Sequence, residues 1–342
     1  MKKLTATILT AALAFGLMAC GSESAEPKKP EAETAPETVQ EAEPEGEEDK
    51  KVIAVLPQSM AQEFGADVVS AVEKACDSYG YECIVLDPDL DLSTQISMME
   101  DLIVQKVDGC IFSAIDTTSM GAIVEELKNA GIKVVDFDCT VDEGNADASI
   151  KSDDYQGGYL AASILMEKVN DPQATIIVYG TSSTIGTGYL RNSGFHAYME
   201  ENYPDVTIVE TRPSEGAGTR DGCRTWAVDM LTAYPEAKGF FTFYGDGAIG
   251  TYFGVKDNGR EDITIVGYDA SAEQQEIMIA DGSGCILQAS VAQYPKMMGR
   301  MAVETMKELF EGTYTKEGAE DIIYIEPGVL KAEEAENYEE KE

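Results

Sequence analysis

The chain has 342 residues, with 63 acidic and 25 basic side chains, one histidine and a formal net charge of -38. Residues 1–50 and 331–342 carry 17 of the acids and 7 of the bases, so the remainder is still strongly acidic. A field of that sign repels phosphate backbones and argues against nucleic acid as a partner.

The first twenty residues, MKKLTATILTAALAFGLMAC, run from two lysines through an apolar stretch to small residues, the order of a secretory signal. The apolar run is too short to span a membrane, which takes about 20 apolar residues. Its end, Leu17-Met18-Ala19-Cys20, resembles a bacterial lipoprotein box. That implies cleavage before Cys20 and lipid on its thiol; an ordinary cleaved signal is the alternative. Residues 21–50 are mostly Glu, Pro, Ala and Thr. They bury too little apolar surface to offset chain entropy and read as a disordered acidic linker with a reach of roughly 30 Å. The expected setting is outside the cytoplasm, monomeric, with the lipid anchor as the only membrane contact.

From Lys51 onward short β-branched runs alternate with amphipathic stretches. The runs are KVIAVLP, YECIVLD, VDGCIFSA, IKVVDFD, ATIIVYG, VTIVETR, GFFTFYG, ITIVGYD and GCILQASV. Near-continuous apolar strands between helices predict parallel sheets covered on both faces, an α/β fold. Gly80, Gly131 and Gly312 stand where helices should end. Two rounds of this winding, over about 51–150 and 153–293, predict two domains, with a last helix and strand after them.

Six cysteines follow Cys20: Cys76, Cys83, Cys110, Cys139, Cys223 and Cys285. Export permits disulfides, and Cys76–Cys83 is the local pairing to test, with buried free thiols as the alternative. No Cys-x-x-Cys and no cysteine–histidine spacing suggest zinc. With His196 alone, read as structural, most Ser–His and Cys–His catalysis is removed. No metal, no cofactor and no enzyme activity are expected. The glycine-rich GTSSTIGTGYL lacks a Walker lysine and dinucleotide spacing, and reads as a cleft loop.

In open α/β sheets ligands bind beyond the carboxyl ends of the strands. That rule selects Gln58 with Gln62 and Phe64, Ser113 with Asp116, Asp138, Thr181 to Arg191, Tyr244 with Asp246, Asp269, and Gln293. Carboxylates accept from paired hydroxyls, an arginine donates a fork of hydrogen bonds, and an aromatic face covers C–H groups. The set suits a neutral polyol. The competing explanation for each Asp or Ser is a helix N-cap.

The motifs QSMAQEF, IKVVDFD, SDDYQGGYLAA, LRNSGF, ITIVGYD and QYPKMMGRMAVE, in this order and spacing, resemble the type I periplasmic binding proteins of sugar ABC importers, the ribose-binding branch. The resemblance covers about 51–330. It implies two Rossmann-like domains with parallel sheets joined by a three-strand hinge and closing on ligand. The first lobe would comprise 51–152 plus 294–322 and the second 153–293 plus 323–330, with an acidic tail over 331–342. By position it implies polar ligand contacts from Gln58 and Gln62, a stacking aromatic at Phe64, hydroxyl-binding acids at Asp138 and Asp269, the ligand arginine at Arg191, a contact at Tyr244 and a hinge-side amide at Gln293. Three departures stand out. Gly65 replaces a second aromatic, Cys139 a second arginine, and Tyr244 an asparagine, subject to a one-residue shift. Tyr155, Tyr189 or Trp226 could restore the stack.

The implied function is capture of a small neutral sugar and delivery to an ABC permease. Alternatives are a sensory binding component, or a furanosyl autoinducer or nucleoside as ligand. A transcriptional regulator of this fold would need a basic helix-turn-helix where the signal and linker stand.

Overall fold

The computed structural model describes residues 50–341 except 142–145, 184–185, 214 and 316–321. The expected signal, Cys20 and the expected linker through residue 49 lie outside the described residues.

The first lobe runs β1 (Val52–Leu56), α1 (Glu63–Tyr79), β2 (Glu82–Val85), α2 (Leu92–Gln105), β3 (Gly109–Phe112), α3 (Gly121–Asn129), β4 (Lys133–Phe137) and β5 (Ala148–Ser152). The second runs α4 (Asp154–Val169), β6 (Thr175–Tyr179), α5 (Gly186–Asn202), β7 (Thr207–Thr211), α6 (Arg220–Ala233), β8 (Ala237–Phe241), α7 (Gly245–Asp257), β9 (Thr264–Tyr268), α8 (Ala272–Asp281) and β10 (Leu287–Ala292). The chain then returns through α9 (Pro295–Glu311), β11 (Ile322–Ile325) and β12 (Gly328–Lys331). The first sheet has the order β2-β1-β3-β4-β5-β11 and is parallel throughout. The second repeats that order as β7-β6-β8-β9-β10-β12, with only β12 antiparallel.

The inner strands of each sheet bury both faces because helices cover both sides, while the edge strands β2, β7, β11 and β12 stay partly exposed. In the first lobe Ile53, Val55 and Val135 pack with Val68 and Val72 of α1 and Met298 and Val303 of α9. The alternate residues Ala54, Leu56 and Val134 pack with Met99 and Leu102 of α2 and Val124 and Leu127 of α3. The second lobe divides in the same way, with Trp226, Val255 and Met278 on one face of its sheet and Leu165, Phe195 and Met199 on the other. Each such aliphatic or aromatic side chain contributes about 1.5–3 kcal/mol by leaving water. Gly80 (φ 73°) and Gly312 (φ 68°) close α1 and α9 in the left-handed region, and Gly131 (φ 89°) follows the last turn of α3.

Three chain segments cross between the lobes, at Ser152–Asp153, Gln293–Tyr294 and Glu326–Pro327. The third lies later than the sequence suggested. All of β11 pairs with β5, from Ile322 opposite Ser149 to Ile325 opposite Ser152, so residues 323–325 belong to the first lobe. Pro327 lacks the N–H that would continue the ladder. A second strand, β12, then joins the other sheet, where one final strand was expected. Residues 331–341 also differ from a free acidic tail. Lys331 ends β12, and a 3-10 turn over Ala332–Asn337 buries Ala335 in the second lobe's core.

Candidate functional site

The eight residues singled out as ligand contacts all line one cavity of about 710 Å³, walled by the carboxyl ends of strands from both lobes. Gln58 follows β1 and donates its side-chain amide to the Ala114 carbonyl at 2.6 Å. Gln62 precedes α1, and Phe64 stands in its first turn. Beside them Gly65 is held by a close approach: a Cβ there would collide with the Ser59 carbonyl oxygen. No side chain fits at that position, which explains why an aromatic is missing.

Asp138 follows β4 and Asp269 follows β9, both with positive φ (55° and 81°). Neither caps its own next helix; α8 is capped by Ser271. Asp269 instead accepts from the Gly245 N–H at 2.7 Å, at the start of the neighbouring α7, and from the Gln293 amide at 2.6 Å. The Gln293 oxygen in turn accepts from Arg191 Nη2 at 2.7 Å.

Arg191 lies within α5, 4% exposed, and braces the centre of the site. Nε and Nη2 both lie 2.9 Å from Asp154 Oδ1, and Nη1 donates to the Phe243 carbonyl at 2.9 Å. Its guanidinium stands 4.0 Å from the Tyr268 ring centroid, and Nη2 is 3.5 Å from Asp138. Of the five N–H groups of a guanidinium, one on Nη1 has no partner among the described residues. Arginine here is more a brace than the open fork expected from sequence.

Burial pushes the Asp138 carboxyl up to about 6, against the opposing pull of Arg191. Burial also raises Asp269. For Arg191 burial disfavours the charge, but Asp154, Tyr268, Asp138 and Asp269 outweigh it, and the guanidinium stays protonated. Asp138, Asp154 and Asp269 thus face Arg191 and Lys151, whose Nζ is 3.3 Å from Asp154. The balance is acidic, which disfavours an anionic ligand at the centre.

Aromatic rings build the second lobe's wall. Tyr179, Phe243 and Tyr244 line the cavity with ring centroids 5.3–5.4 Å apart. Their hydroxyls are engaged elsewhere, Tyr179 accepting from the Gly218 N–H at 2.9 Å and Tyr244 meeting Cys223 Sγ at 2.9 Å. The rings therefore offer apolar faces. Sequence reasoning named Tyr244 but missed Tyr179 and Phe243, although both stand at the ends of the runs ATIIVYG and GFFTFYG. The replacements it suggested do not serve. Tyr155 and Tyr189 are exposed and off the cavity, and Trp226 is buried, donating to Thr211 Oγ1 at 2.9 Å. Ser113 and Asp116 are also off the cavity; Asp116 caps the Thr118 and Ser119 N–H groups. Cys139 lines the wall, and burial raises its thiol. Arg220 at the rim pairs with Asp246 and Glu273. His196 lies outside the cavity, 2.6 Å from Glu210. Cys76, Cys83, Cys110, Cys139, Cys223 and Cys285 are free, and no group of metal-ligating side chains occurs among the described residues.

A profile of the periplasmic binding protein domain matches residues 53–313. The chain belongs to this family. The ribose import binding protein RbsB of Bacillus subtilis (strain 168) is 26% identical over 312 residues, covering 91% of this chain and 94% of that protein. The D-ribose/D-allose-binding protein of Pseudomonas aeruginosa is 24% identical over 275 residues, 77% of this chain and 83% of its own. Among solved structures, an ABC transporter periplasmic solute binding protein from Actinobacillus succinogenes 130z with bound D-allose superposes with a TM-score of 0.76 at 22% identity, over 84% of this chain and all of that one. A solute binding protein from Bacillus halodurans C-125 with bound myo-inositol gives 0.74 at 23% identity, over 84% and 97%. The fold is that of the type I periplasmic binding proteins.

Proposed function

We propose that this periplasmic binding protein captures a neutral sugar or cyclic polyol between its lobes and hands it to an ABC importer permease, as a monomer tethered by lipid at Cys20. The observation that carries the ligand class is the Asp138–Arg191–Gln293–Asp269 chain, which draws on both lobes and stands in one cavity with Phe64, Phe243 and Tyr179. Carboxylate oxygens with spare lone pairs accept from ring hydroxyls, and aromatic faces cover the C–H side of a sugar. The relatives support the reading, being named for ribose and allose.

The test is a thermal-shift panel of aldoses, ketoses, cyclitols, nucleosides and amino acids on the protein. A ligand at 100 times its dissociation constant adds about 2.7 kcal/mol of stability. A shift with one or a few sugars or cyclitols is expected. A shift confined to nucleosides or amino acids would overturn the ligand class.

A further inference from the structure

The family match ends at residue 313, but the chain continues to a segment that touches both lobes. Residues 332–341 follow β12 and so are rooted in the second lobe. There Ala335 is buried, and Gln275 of α8 donates its amide to the Ala335 and Tyr338 carbonyls at 2.7 and 3.1 Å. Lys168 of α4 reaches both Glu333 oxygens at 2.9 Å. The far end lies on the first lobe. Glu340 accepts from Lys296 Nζ at 2.7 Å at the start of α9, and the Lys341 ammonium stands 4.8 Å from the Tyr294 ring centroid. Between these ends the Tyr338 ring packs against the cores of both lobes.

This segment also backs the cleft. A smaller cavity of about 190 Å³ is walled by Glu63, Phe64, Asp269, Tyr338 and Glu340, so it shares Phe64 and Asp269 with the main site. At the same place the lobes meet directly, the Ala272 N–H of α8 donating to the Glu63 carboxylate of α1 at 2.7 Å. Separating the lobes there requires Glu340 to leave Lys296 or Gln275 to leave the segment.

We propose that residues 332–341 are a latch: a non-covalent strap across the outside of the hinge, beside the three covalent crossings, that helps hold the lobes together and positions Phe64 and Asp269 without touching ligand. The latch rests on reading the cleft as one that opens and closes. It makes the closed arrangement accessible before ligand arrives, so less of the ligand's binding energy goes into closure.

Hydrogen exchange on the full chain without ligand tests it. Two variants are compared with the parent: truncation after Lys331 and Glu340→Lys, which leaves the Lys296–Asp67 ion pair in place. The reporter is the peptide over 268–276, which carries the Ala272 amide, and the control is β1 and β3 in the first lobe's core. Truncation and Glu340→Lys should speed exchange of the reporter several-fold with the control unchanged. Parent-like exchange of the reporter in Glu340→Lys overturns the latch. Should truncation unfold the second lobe, Glu340→Lys decides, because it leaves Ala335 and Tyr338 in place. No ligand is added, so failure of the latch and failure of the sugar reading are separate results.

Discussion

Two aspartates, Asp136 within β4 and Asp138 one residue past its end, show how one residue type takes different work from its place. Asp138 opens onto the cavity with its carboxyl raised to about 6. If ligand hydroxyls bind its ionised form, affinity should fall as pH drops below about 6, by at most tenfold per unit for one proton. Calorimetry between pH 5 and 8 should show this, and Asp138→Asn should bind more weakly and with a shallower pH dependence, Asp269 being raised by burial too. Asp136, two residues earlier, is fully buried. One oxygen accepts from the Val141 N–H at 2.8 Å, while Oδ1 has no partner among the described residues. Burial pushes its carboxyl up to about 7. An acid whose folded value is raised holds its proton longer when folded, so stability falls as pH rises from about 4 to 7 and is level above. Asp136→Asn should therefore raise the melting temperature by a few degrees at pH 8, change it little at pH 4, and leave ligand affinity near the parent value. Sequence could place both aspartates at a strand end. It could not separate them, because the difference is that Asp136 is enclosed within β4 against the Val141 N–H, whereas Asp138, one residue past the strand and at positive φ, lines the cavity.

Elements position these groups through backbone contact as much as through side chains. A Cβ on Gly158 of α4 would collide with the Arg191 carbonyl of α5, and one on Gly194 would collide with the Tyr155 carbonyl. The two helices thus touch backbone to backbone, and Asp154 at the start of α4 is held against Arg191. Gly158→Ala should force them apart. Overpacking costs about 1–3 kcal/mol, or roughly 2–4 °C of melting temperature per kcal/mol for a chain of this size. Because the displaced residue is Arg191 itself, ligand affinity should fall as well, and calorimetry beside thermal unfolding checks both. The element order was readable because apolar runs and helical stretches alternate without ambiguity. What was lost turned on non-local pairing. The sequence IIYIEPGVLK does not say which residues pair with β5 and which with β10, and Trp226 at helical spacing gives no sign that Tyr179 stands between it and the cavity.

At the scale of the whole molecule the core is complete within residues 50–341, and removing residues 1–49 should leave the dissociation constant and the melting temperature unchanged. A Cys20→Ala protein in cells should be released or mislocalised; processing and distribution identical to the parent's would count against the lipid anchor. The repeated strand order has a further consequence. β4 and β9 hold the same place in their sheets, so Asp138 and Asp269 are counterparts, each one residue past its strand and each with positive φ. The cleft is a vice whose two jaws carry the same tooth, with Arg191 and Gln293 as the bridge between the teeth. Such a vice favours a guest with hydroxyls at opposite ends over one with a single polar head. Rings of that kind can be gripped either way round, so the rings that break the likeness, Phe64 on one jaw and Phe243 with Tyr179 on the other, are what would fix the guest's direction.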